Sequence, residues 1–116
     1  MPGAGCVSTP VSSFASVTCT CGRSVPAACT ADEVPASIGG RRQRACALVV
    51  SAAGTGRRSL VVRRLRKAVQ TLTGSIHVLD SVRRRTVSPG CAGALKGELR
   101  DARDRAARLL ATFAKP

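Results

Sequence analysis

From Ser59 onward, apolar residues recur at helical spacing. With each residue advancing about 100°, Val61, Val62, Leu65, Ala68, Val69 and Leu72 all fall within about 60° of Leu65. Arg63 and Lys67 fall on the opposite side, and Arg64 and Arg66 on the flanks. This pattern predicts an amphipathic helix over 59–73, with Ser59 as its N-cap and Gly74 as the residue that ends it. Ile76, Leu79 and Val82 continue the same stripe, so the pattern also allows extension to 82, at about 1 kcal/mol for an interior glycine.

A second helix is predicted over 94–114. Leu95, Leu99, Ala102, Ala106, Leu109 and Phe113 recur in alternating steps of four and three, a narrow seam of the kind that packs against another helix. Asp101 with Arg105 and Asp104 with Arg108 are acid-first pairs four apart, each worth a few tenths of a kcal/mol. The seam is too short to stand alone, so it calls for a partner: the helix from Ser59 or a second chain. Ser88-Pro89-Gly90 reads as a turn between the two. The simplest architecture is mostly α, a small basic helical hairpin with an arginine-rich loop.

The stretch before Ser59 allows an alternative. Cys46 to Val50 is a continuous apolar run that reads as a short buried strand, which would make the chain a small α/β protein with a strand at 46–50. Strand, Gly54-Thr55-Gly56 and helix together resemble the layout of the P-loop nucleotide hydrolases. The motif needs Gly, four residues, then Gly-Lys-Ser/Thr. Here Ser51 stands at the first glycine, Arg57 at the lysine, and Arg58 pushes Ser59 out of register. Nucleotide hydrolysis is therefore not expected, and the glycine turn reads as an ordinary helix start.

The first forty residues have no such periodicity. Pro, Gly, Ser, Thr and Ala make up 25 of them, with Pro10, Pro26 and Pro35 spaced too closely for a long helix. "VSSFASVTCTC" alternates enough for a short edge strand, but the region reads mainly as loop or disorder. "RRQRA" at 41–45 marks the composition shift and reads as a solvated linker. The chain thus divides into a low-order region, 1–44, and a small basic helical domain, 45–116. Neither a secretory signal pattern nor an apolar run of about 18–20 residues is seen.

The six cysteines, Cys6, Cys19, Cys21, Cys29, Cys46 and Cys91, are read as unpaired thiols in a reducing compartment, with Cys46 buried as a small apolar group. The compartment is left unassigned, with an intracellular setting favoured over secretion. A thiolate site from Cys6, Cys19, Cys21 and Cys29 lacks the two-to-four-residue ligand gaps of zinc sites, so no metal or other cofactor is expected. His77, the sole histidine, has no nucleophile or second ligand in sight. With no paired carboxylates either, no catalytic residues are assigned and the chain is not read as an enzyme.

Charge carries most of the functional information. Arg and Lys number 19 against 6 Asp and Glu, a net of +13. Residues 45–116 hold 15 basic and 4 acidic groups, so +11 of that charge lies there. Such a surface attracts polyanions. The expectation is nucleic-acid binding through phosphate contacts from Arg57, Arg58, Arg63, Arg64, Arg66, Lys67, Arg83, Arg84 and Arg85. Sequence-specific reading is not expected, because no recognition module is recognisable, and with Phe14 and Phe113 the only aromatic residues there is no platform for stacking single-stranded bases either. The alternative is a helical interaction module docking its Leu95–Phe113 seam on a partner or a second copy. Membrane-surface association is the weaker third class. Scarce Lys and abundant Arg, Ala and Gly also suit a GC-rich reading frame with no selected biochemical activity.

Overall fold

The computed structural model describes residues 13–21, 26–29, 34–81 and 87–114. Four helices account for most of them: α1 (Phe14–Cys21), α2 (Ala36–Ala53), α3 (Arg58–Ser81) and α4 (Pro89–Ala114). No strand is present among the described residues. The mostly α class therefore holds and the α/β alternative does not. Cys46–Val50, the predicted strand, lies inside α2. Its apolar run is read every third or fourth residue: Ala45, Val49 and Ala52 are buried, while Val50 is left 61% exposed.

The helices close into a ring of neighbours. α3 packs against α2 on one side and α4 on the other, and α1 bridges α2 and α4. α2, α3 and α4 run alternately up and down: the start of α2 meets the later part of α3 through Arg41 and Gly74, the start of α3 meets the end of α4 through Arg58 and Phe113, and the end of α3 meets the start of α4 through Asp80 and Lys96. The core is aliphatic. Ile38, Leu65, Leu72, Leu95, Leu99, Val17 and Val49 are fully buried. The one described aromatic contact is at the periphery, where Phe14 and Phe113 lie with ring centroids 5.6 Å apart.

Helix α3 runs through Gly74 without a break. Ser75, Ile76 and Leu79 beyond it are buried; burying those side chains outweighs the roughly 1 kcal/mol that an interior glycine costs. The predicted N-cap at Ser59 is also displaced. The Arg57 carbonyl accepts from Leu60 and Val61 at 3.1 and 3.0 Å, and the Thr55 hydroxyl takes the Arg57 N–H at 3.2 Å. Ser59 thus sits inside the first turn, exposed.

Helix α4 begins at Pro89, five residues before the predicted start. Ser88-Pro89 is not a turn but a cap: the Ser88 hydroxyl accepts from the Cys91 N–H at 3.3 Å and the Ser88 carbonyl from Ala92 at 2.8 Å. Proline at the first helical position has no N–H to leave unsatisfied and a φ already suited to the helix. The composition shift at 44–45 falls within α2, whose first turn starts from Pro35, the carbonyl of which accepts from Ile38 and Gly39. Thus "RRQRA" is helical rather than a linker. Part of the region read as low-order, including Phe14–Cys21 of "VSSFASVTCTC", carries α1, with the Ser13 hydroxyl accepting the Ser16 N–H at 3.1 Å.

The described cysteines are not free thiols. Cys21 is bonded to Cys46, tying α1 to α2, and Cys29 to Cys91, tying the segment after α1 to the first turn of α4. Cys19 is disulfide-bonded as well. The sequence offers 15 pairings for six cysteines, and only the folded chain selects among them.

Candidate functional site

The candidate surface is built on α2 and the first half of α3. Between Val34 and Leu79 the chain holds nine Arg and Lys residues and no Asp or Glu. Burial of Val61, Leu65, Ala68 and Leu72 fixes the rotation of α3, so Arg63, Arg66 and Lys67 are turned to solvent. Arg57 precedes the helix and is exposed too. None of these four meets a carboxylate among the described residues. Arg44 on α2 is likewise exposed and bonds only the Gly40 carbonyl of its own helix, at 3.5 Å.

The remaining predicted cations divide differently. Arg58 donates from Nε to the Phe113 carbonyl at 2.6 Å, and Arg64 from a terminal guanidinium nitrogen to the Ser51 carbonyl at 3.1 Å. Both acceptors belong to the last turns of neighbouring helices, where the helix dipole is negative; the Ser51 carbonyl also accepts from the Gly54 N–H at 3.2 Å. These two arginines tie α3 to the C-terminal ends of α4 and α2. A guanidinium has five N–H donors, so each retains donors for a ligand. Arg83, Arg84 and Arg85 lie outside the described residues.

The described carboxylates follow this stretch along the chain, and one of them, Glu98, reaches back to Arg42 of α2. The four that are described all lie between Asp80 and Asp104, and each has a cation: Asp80 with Lys96 at 2.6 Å, Glu98 with Arg42 at 3.5 Å, Asp101 with Arg105 at 2.8 Å and Asp104 with Arg103 at 3.0 Å. The predicted pair of Asp104 with Arg108 is replaced by the adjacent Arg103. Lys96 donates to Asp80 and holds its carboxyl below the usual carboxylate range, with Arg100 and His77 adding to the effect. His77 itself is exposed on α3.

The Leu95–Phe113 seam is occupied by the chain itself. Leu95, Leu99, Ala102, Ala106 and Leu109 are buried in the core, and Phe113 is half-buried against Phe14. Of the two partners anticipated for the seam, the helix from Ser59 is the one found, with α1 beside it. The structure brings no three metal-ligating side chains together among the described residues, and no described helix is long and apolar enough to cross a membrane. No family model, curated protein or solved structure matches the chain.

Proposed function

We propose that the protein binds polyanions, nucleic acid foremost, through the cationic surface of α2 and α3, by phosphate contacts and without reading bases. The observation that carries this reading is the segregation of charge along the chain. Nine cations occupy residues 34–79 with no carboxylate among them, whereas the acids of α3 and α4 all have cationic partners. A solvated surface of mixed charge would interleave the two signs. Arg63, Arg66, Lys67 and Arg57 supply the outward charge, with Arg58 and Arg64 adding their remaining donors from the edge. Arginine suits this role because its planar fork matches two phosphate oxygens at once.

Each phosphate neutralised releases counterions, so affinity falls steeply as salt rises. Fluorescence anisotropy of a labelled duplex, titrated with the protein at 50 and 200 mM salt, tests this. Several phosphate contacts predict a loss of about a hundredfold or more between those concentrations, and equal affinities for unrelated duplex sequences. Salt-insensitive affinity, or no binding at 50 mM salt, rejects the reading.

A further inference from the structure

Helix α1 is the weakest element of the ring and the one most heavily cross-linked. Its eight residues are fewer than an isolated helix needs to persist in water. Thr18 and Thr20 turn their hydroxyls back onto carbonyls of the same helix, at 2.9 Å from Phe14 and 2.9 Å from Val17. Such back-bonding does not strengthen a helix. Apart from its cysteines, α1 places one apolar side chain fully in the core, Val17, and rests a second, Phe14, on Phe113. Ser16 accepts a hydrogen bond from Arg105 at 2.7 Å. The strongest tie is covalent, Cys21 to Cys46.

The other three helices do not depend on α1 for their mutual packing. α3 lies against both α2 and α4, whereas α1 packs mainly on α2 and α4. α1 therefore spans α2 and α4. Cys46 and Cys29 are only half-buried while their partners Cys21 and Cys91 are buried, so each bridge presents one cysteine near the surface to an incoming thiol.

We propose that α1 is a disulfide-latched strap: reduction of both bridges that α1 makes, Cys21–Cys46 and that of Cys19, releases it from α2 and α4 while α2, α3 and α4 stay packed. The reductant is a small dithiol. Its thiolate attacks one sulfur of a bridge, giving a mixed disulfide and a protein thiolate. Its second thiolate then displaces the other protein sulfur and closes the reagent into a cyclic disulfide. Two electrons and two protons pass to the protein for each bridge opened, leaving Cys19, Cys21 and Cys46 as thiols. Once both bridges are open, an eight-residue segment regains its conformational entropy, and one valine, one half-buried ring and the Arg105–Ser16 hydrogen bond do not hold it down. The cationic residues of α3 are not on the strap, so this proposal stands or falls separately from polyanion binding.

Hydrogen exchange followed by mass spectrometry on the full chain, with and without dithiothreitol, tests the latch. Alkylation before and after reduction reports the state of the cysteines. The expected result is a Cys21–Cys46-linked peptide before reduction and, after it, at least tenfold faster exchange over 14–21 with little change over 61–72 of α3. The variant carrying Cys19→Ser, Cys21→Ser and Cys46→Ser should show the fast α1 exchange without reductant. Three results overturn the proposal: no Cys21–Cys46 linkage in the oxidised chain, unchanged protection of α1 once the thiols are alkylatable, or equal loss of protection in α3, which would make the bridge a support of the whole fold.

Discussion

The Arg41 guanidinium of α2 lies across α3 at Gly74, with one terminal nitrogen 3.1 Å from where a Cβ on that glycine would stand. The glycine is thus a place of close approach within a continuous helix. The obstacle to a larger residue is the far end of a flexible arginine, which swings aside at little cost. Gly74→Ala is expected to stabilise the protein by up to about 1 kcal/mol, the helix-propensity gain, in urea unfolding monitored by circular dichroism. A loss of more than about 1 kcal/mol would mean that the arginine contact is worth more than the helix gains.

The arginines of α3 should separate into two groups. Arg58→Ala and Arg64→Ala remove charged donors from helix-end carbonyls and are expected to cost about 0.5–1.5 kcal/mol each in unfolding free energy. Arg63→Ala and Lys67→Ala remove exposed side chains without such bonds and should lie within about 0.5 kcal/mol of the parent. Nucleic-acid affinity should fall for the second group. Equal destabilisation by all four would show that the exposed cations also serve the fold.

Asp80 sets a pH dependence of known sign. Its carboxyl titrates below the usual range because Lys96 donates to the charged form, so the unfolded chain takes up the proton first on acidification. Stability from the pair is present above the unfolded carboxylate range, about pH 4, and is lost as pH falls through the lower folded value. Asp80→Asn should therefore flatten the acid limb of a stability-versus-pH curve measured between pH 5 and 2. An acid limb as steep as the parent's would place the titrating group elsewhere.

The seam of α4 and the stripe of α3 meet in an aliphatic core without aromatic rings. Leu65→Ala or Leu99→Ala leaves a cavity among fully buried neighbours and is expected to cost about 2–5 kcal/mol. Thermal unfolding with the disulfides intact measures it. A cost under about 1 kcal/mol would show that the core relaxes into the space or is looser than its burial indicates.

Helices α3 and α4 were legible in the sequence because each keeps an unbroken apolar stripe beside a charged back. The steps from Leu95 to Leu109 and from Val61 to Leu72 are the steps of the buried residues themselves. α2 was hidden for a physical reason: Gly39 and Gly40, a run of arginines and then a solid apolar run show no single face, and Val50 of that run ends up in solvent. α1 was hidden because its Ser, Thr and Cys alternate as a strand would, and it is helical only against α2 and α4. The cationic surface was legible as charge. That Arg58 and Arg64 are spent partly on carbonyls was not, since their acceptors lie 55 and 13 residues away. Local periodicity reports which way a helix faces, while long-range pairing, including that of the cysteines, depends on how the helices are stacked.

The most direct test of the polyanion-binding surface compares salt dependence in the parent and in a variant with Arg63, Arg66 and Lys67 all changed to alanine. These side chains are solvent-facing, so the variant is expected to retain the parent's circular dichroism and melting temperature. Duplex affinity is measured from 50 to 200 mM salt and plotted as log K against log salt concentration. Three lost phosphate contacts predict a slope shallower by about 2–3, at about 0.9 per contact. A slope equal to the parent's, with the fold intact, would contradict the assignment of this face as the binding surface.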